Sequence, residues 1–219
     1  MRMLVEFRKD DIVRHLGLLD LQRTMQRALR RSGLPIKYSS GFNPHIVMSF
    51  ASALSTGIPG DAELLDVSLS GEVTERECLE AMNRVLPPSL PVTRVRLVED
   101  GFPKVMAALR QAEYRIRLSG EGTDAIVSAI PAFLAETEIM AMRKSKRGEA
   151  LVNIRPCCMR SPQSIAAAKR LCCRRVFPSW KRRRLSPICC SPRWRRMPTR
   201  RCHALRSAEL VCWAKRTAS

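Results

Sequence analysis

The chain has 219 residues, 45% of them hydrophobic, with a formal net charge of +19 and a pI near 10.6. That size suits one large domain or, better here, two small ones; with no run of 18 apolar residues and no signal-peptide h-region, a soluble, cytoplasmic protein without a membrane partner is expected. The charge alone would point to nucleic acid, but residues 1–155 hold 22 bases and 19 acids (+3), whereas residues 156–219 hold 17 bases and one acid, Glu209 (+16).

Residues 4–13 alternate as a strand, with Val5 and Phe7 on one side. A helix follows. Its apolar stripe is Leu18, Leu21, Met25, Ala28 and Leu29, and at about 100° per residue Arg23, Arg27, Arg30 and Arg31 fall on the opposite face. Asp20 near the start and arginines near the end suit the helix dipole, and Gly33 then Pro35 stop the helix. Residues 36–38 read as a short strand and residues 39–45 as a loop, SGFNPH after the tyrosine and first serine, in which Gly41 permits positive φ and Pro44 keeps Asn43 out of the helical region. Residues 46–53 and the alternating ELLDVSLS are further strands. Thr74 and Glu77 form a capping box for a second helix, with Cys78, Leu79, Met82, Val85 and Leu86 on one face, and VTRVRLVED closes the unit. This order is the βαββαβ of a ferredoxin-like sandwich over residues 1–105, an α+β fold.

From residue 112 the pattern restarts: strand, helix, strand, strand, a second and incomplete ferredoxin-like βαββ unit over residues 110–156. Residues 157–219 then obey different rules. From Pro156 onward the chain has no Gly, Asp, Asn or Tyr, six prolines and eight of the nine cysteines, including the vicinal pairs at 157–158, 172–173 and 189–190. Vicinal cysteines do not share a tetrahedral ion readily, so no metal site is expected there. The composition is what GC-rich codons yield out of frame, and a lost reading frame near Pro156, giving a non-native, mostly disordered tail, is the expectation. A functional basic RNA-binding tail is the competing one.

The run DLQRTMQRALRRSGLPIKYSSGFNPHIVMSFASALSTGIPGDAELLDVSL, with RALRRSGLP and YSSGFNPH as its most specific motifs, resembles a bacterial family of unknown function, the radical SAM-associated proteins. The resemblance covers about residues 3–156 and includes VNIRP, which looks like the family's VDIRP strand. It implies either a separate small protein or the C-terminal part of a larger radical S-adenosylmethionine enzyme. Two departures stand out. Many members carry a His where this chain has Leu18, His15 lying one turn earlier, and the C-x-x-x-C-x-x-C triad that holds a radical SAM iron–sulfur cluster is absent. The chain is therefore not expected to be a radical enzyme itself, and S-adenosylmethionine and the cluster would belong to a partner.

The residues singled out for ligand or RNA binding are Arg23, Arg27 and Arg30, as guanidinium forks for phosphate, with Tyr38, Ser40, Phe42, Asn43 and His45 of the loop to line a pocket or stack on a base. Arg31 and Phe50 read as ordinary surface and core. His45 reads chiefly as a hydrogen-bonding strut, since no second His or carboxylate lies at catalytic spacing, Asp66 as the partner of an arginine, and Cys78 as a buried small hydrophobe. No catalytic constellation can be assembled. The leading expectation is a non-catalytic accessory or substrate-binding module for a radical SAM protein, with RNA or a ribosomal component as its substrate. A stand-alone RNA-binding protein and an uncharacterised small-molecule enzyme are the alternatives.

Overall fold

The computed structural model describes residues 1–119, 122–145, 148–154, 170–176 and 209–218. They divide into two compact units, Met1–Arg110 with Ala214–Ser219, and Gln111–Trp213. Most of the basic tail lies outside the described residues, and so does the expectation that it is out of frame and disordered.

The first unit contains β1 (Arg2–Lys9), α1 (Leu18–Arg31), β2 (Met48–Phe50), β3 (Gly60–Ser68), α2 (Glu75–Val85), β4 (Val92–Val98) and a short α3 (Val105–Ala108). The strands pair antiparallel in the order β4-β1-β3-β2. That order, with α1 after β1 and α2 after β3, is the ferredoxin-like βαββαβ topology. Alternation along β1 sends Met3, Val5 and Phe7 inward, where they meet Leu65 and Val67 of β3, Leu21, Met25, Ala28 and Leu29 of α1, and Cys78 and Met82 of α2. Phe50 of β2 stands edge-on to Phe7, ring centroids 6.1 Å apart, as the core role expected of it requires. Leu18 departs from the expected stripe: as the first residue of α1 it overhangs the core and is exposed.

Two local details differ from the sequence reading. Strand β1 stops at Lys9, and Asp11–Val13 curls into a 3-10 turn rather than continuing the strand. Residues 36–38 make only isolated bridges, Ile36 to Leu69 and Tyr38 to Ile46. Helix α2 starts as expected: the Thr74 hydroxyl accepts from the Glu77 amide at 3.2 Å, and the Glu77 carboxylate accepts from the Thr74 amide at 2.8 Å. The Thr74 amide and then the Thr74 hydroxyl, which donates to the same carboxylate oxygen at 2.8 Å, hold the Glu77 carboxyl below its usual range.

The outer edge of β4 is sealed by α2. The Asn83 side chain donates to the Val92 carbonyl at 3.0 Å and accepts from its amide at 2.9 Å, replacing a neighbouring strand, and Glu75 accepts from the Leu97 amide at 3.0 Å. An edge capped by side chains is a poor template for strand addition.

The second unit contains most of β5 (Leu109–Ser119), then α4 (Thr123–Ala135), β6 (Met140–Ser145), β7 (Gly148–Asn153) and β8 (Arg170–Val176). Strands β6 and β7 form a hairpin, and Ile139, Ala141 and Ile154 of that region pack with Phe133 of α4. β8 runs antiparallel to β5 with Gln111 opposite Val176 and Arg117 opposite Arg170. The β5–β8 and β6–β7 pairings are two of the three that a ferredoxin-like sheet has; β6 and β7 form a two-stranded sheet of their own, and among the described residues β5 does not pair with β7. A last strand, β9 (Glu209–Ala218), ends alongside β3, parallel to it, with Gly60 opposite Ala214.

Candidate functional site

The loop at residues 39–45 leaves the sheet at a well-anchored base. Ile36 and Ile46 are core residues; the Lys37 amide donates to the Ser68 carbonyl at 2.9 Å, the Val47 amide to the Lys37 carbonyl at 3.0 Å and the Ser68 amide to the Val47 carbonyl at 2.9 Å. One step out, Ser39 and His45 brace the neck three times. The Ser39 amide donates to the His45 carbonyl at 2.8 Å, the His45 amide donates to the Ser39 hydroxyl at 3.1 Å, and the His45 Nδ1 lies 2.8 Å from the same hydroxyl. The hydroxyl, with one proton and two lone pairs, can donate to Nδ1 or accept from it while also accepting from the amide, so it braces either tautomer of the ring. Among the described residues no carboxylate bonds His45, which acts here as the strut the sequence suggested.

Beyond the neck Gly41 turns the chain with φ of 123°, a conformation side-chain-bearing residues avoid. Ser40, Phe42 and Asn43 are exposed, Phe42 completely and Tyr38 to 44%. A braced loop thus spends conformational freedom to hold an aromatic ring in water, where it forgoes the roughly 1.5–3 kcal/mol that burying a large apolar side chain provides.

The arginines of α1 sort into two kinds. Arg31 donates to the Val85 carbonyl at 3.0 Å and is structural; Arg23 stands 3.4 Å from Asp20. Arg27 and Arg30 are exposed and have no side-chain hydrogen bond or ion pair among the described residues. The loop and the arginine face are separate features of one unit: no hydrogen bond or ion pair joins them among the described residues.

Two charges buried around the core, Lys9 and Arg2, are not singled out by the sequence. Lys9 is 1% exposed, and its Nζ donates to the carbonyls of Arg14 at 2.8 Å and Leu16 at 2.9 Å. Burial pushes its pKa down, opposed by the nearby Glu63 carboxylate. The alternation held the signal, since Lys9 continues the inward series Val5 and Phe7. Asp66 does pair with an arginine, Arg2, at 3.1 Å, both nearly inaccessible. Arg2 in turn donates to the carbonyls of Phe102 and Pro103, tying the connector after β4 to the sheet.

The sheet face opposite α1 and α2 carries Arg2, Leu4 and Glu6 on β1 and Leu64 and Asp66 on β3, and the connector before α3 covers its Arg2–Asp66 end. It has no aromatic side chain on these two central strands, so the base-stacking platform that RNA-recognition domains build there is missing.

A family model for an uncharacterized protein conserved in bacteria, DUF2344, matches residues 2–182. The chain belongs to that family. Curated proteins offer no match. In this DUF2344 protein the matched span takes in α1, the loop and strands β1 to β8, and it continues past residue 156, where the sequence resemblance ends, to residue 182. Among the described residues of this DUF2344 chain no group of three His, Cys, Asp or Glu is placed to hold a metal ion, and no helix is long and apolar enough to cross a membrane.

Cys78 is fully buried, and its thiol is pushed up to about 11 from an ordinary 9.0, mainly by burial and then by Glu77 and Glu75. A thiol with a raised pKa stabilises the fold fully below pH 9.0 and loses that contribution as pH climbs to about 11. Peptide mapping after iodoacetamide treatment at pH 8 should therefore find Cys78 unlabelled in the native protein and labelled in denaturant. Rapid native labelling would contradict its burial.

Proposed function

We propose that this protein is a non-catalytic accessory module that works beside a radical SAM enzyme, docking through the loop at residues 39–45 and holding or presenting that enzyme's substrate. The observation that carries the reading is Phe42: a fully exposed ring on a loop braced at its neck is an anchor waiting for a pocket. The resemblance of RALRRSGLP and YSSGFNPH to radical SAM-associated proteins supplies the kind of partner. S-adenosylmethionine and the iron–sulfur cluster would reside in that partner, with cytoplasmic assembly of the two.

The test is capture of an iron–sulfur protein, read by iron and sulfide content, by the tagged full chain. Phe42→Ala should leave the melting temperature within about 1 °C of wild type, because an exposed side chain contributes little to stability, and reduce capture at least tenfold. Retention unchanged by the substitution, or no iron–sulfur protein retained by wild type, would contradict the reading.

For the tail, a lost reading frame near Pro156 remains our proposal on composition. The gene's nucleotide sequence decides it: an alternative frame encoding Gly-, Asp- and Leu-bearing chain supports it, and none overturns it. The family match continuing to residue 182 counts on the other side.

A further inference from the structure

Arg23, Arg27 and Arg30 stand at i, i+4 and i+7 on the solvent face of α1, opposite buried Leu21, Met25, Ala28 and Leu29. At about 1.5 Å rise per residue the ladder is roughly 10 Å long. Arg27 is its centre, and the positions three and four residues away are Arg23, Thr24, Arg30 and Arg31. Like charges at these spacings cost a helix a few tenths of a kcal/mol each. Asp20 reaches only Arg23, and Arg31 is committed to the Val85 carbonyl. The helix dipole rewards Arg30 and Arg31 at the C-terminal turn but not Arg27 in the middle. A cationic cluster kept in a segment of nearly balanced charge, against local repulsion and, among the described residues, with an internal counter-ion for Arg23 alone, is one whose remaining counter-ions come from outside.

We propose that this ladder binds the phosphate backbone of a nucleic acid, independently of base sequence. The inference deepens the accessory reading by naming the class of substrate presented. Guanidinium forks match phosphate oxygens, and phosphate contacts position a strand without reading its bases. Three arginines along one helix face serve successive phosphates of a strand better than a single small anion.

The experiment is fluorescence anisotropy with the full chain and a labelled 12-mer of uridine, a 12-mer of thymidine, and a 12-base-pair duplex, across a potassium chloride series. Because residues 156–219 carry 17 bases, the comparison between variants decides. Arg27→Gln with Arg30→Gln should weaken binding about tenfold at low salt and reduce the salt slope by about 1.4, at about 0.7 per single-strand phosphate contact. Arg94→Gln with Arg96→Gln, an equal charge change on β4, should change affinity less than twofold. Whichever strand binds most tightly in this ladder-dependent way names the source of the phosphates. Unchanged binding in the α1 variant, an equal loss in the β4 control, or ladder-dependent binding to phosphatidylserine vesicles instead of nucleic acid overturns the proposal. Ladder-dependent binding without capture of an iron–sulfur partner would sink the accessory reading alone; capture without it would sink only the ladder.

Discussion

Replacing Lys9 by Met is expected to destabilise the first unit by about 3 kcal/mol, read as a lower urea midpoint at unchanged slope. The side chain fits a methionine's volume, so the loss comes from polar groups and not from a cavity. The carbonyls of Arg14 and Leu16 lose the Lys9 donor in a part-buried setting; Arg14 keeps the Gly57 amide, so among the described residues the Leu16 carbonyl is the acceptor left unsatisfied, at a cost of roughly 1–3 kcal/mol. The Glu63 carboxylate loses a nearby opposite charge as well. Those two carbonyls lie in the segment that turns β1 into α1, and the Gly57 amide donates to the same Arg14 carbonyl at 2.8 Å, so the loop before β3 should loosen too. Lys9 itself has a depressed pKa, so its burial costs stability at neutral pH, and that cost is relieved as pH rises toward 10.5. A midpoint shift under 1 kcal/mol equivalent would mean that water replaces the lysine without penalty.

Asp66→Asn should cost about 3–5 kcal/mol, because removing one member of a buried ion pair strands the other. Arg2 is 1% exposed and its Nε already has no hydrogen-bond partner among the described residues, so there is little local capacity to absorb the loss. Its remaining bonds run to Phe102 and Pro103. The connector should therefore detach first, and trypsin cleavage after the exposed Lys104 should accelerate before global unfolding. Replacing both partners, Arg2→Met with Asp66→Leu, should recover most of the lost stability, since apolar replacement of a buried pair is often neutral. A double variant as unstable as Asp66→Asn would show that the connector bonds, and not the stranded charge, set the cost.

The features legible beforehand were those written in short spacings. Thr74 and Glu77 three apart specify their capping box locally, the i, i+3, i+4 stripe of α1 picks its buried face, and the strand order follows from the βαββαβ succession. What escaped depends on chain segments meeting. Lys9 and Glu63 become neighbours only through the register of β1 against β3, with Phe7 opposite Glu63, and Arg2 finds the Phe102 and Pro103 carbonyls across a hundred residues. The loop was recognisable as polar, ordered and aromatic. Whether Phe42 pointed into the core or into water was not, because an aromatic residue beside Gly and Asn fits either a packed turn or an exposed tip. The Ser39 to His45 brace closes a neck six residues apart, which no periodicity encodes. Phase alone places Leu18 on the buried stripe, but as the first residue of α1 it lies at the margin of the core and is exposed.

A braced neck presents an exposed tip, and amide hydrogen exchange across residues 36–48 distinguishes the two parts. The amides of Lys37, Ser39, His45 and Val47, each hydrogen-bonded, should exchange slowly, and those of Ser40, Gly41, Phe42 and Asn43 near the rate of an open chain. Uniformly fast exchange would mean that the neck does not hold, and protection extending through Phe42 would mean that the tip is packed rather than presented.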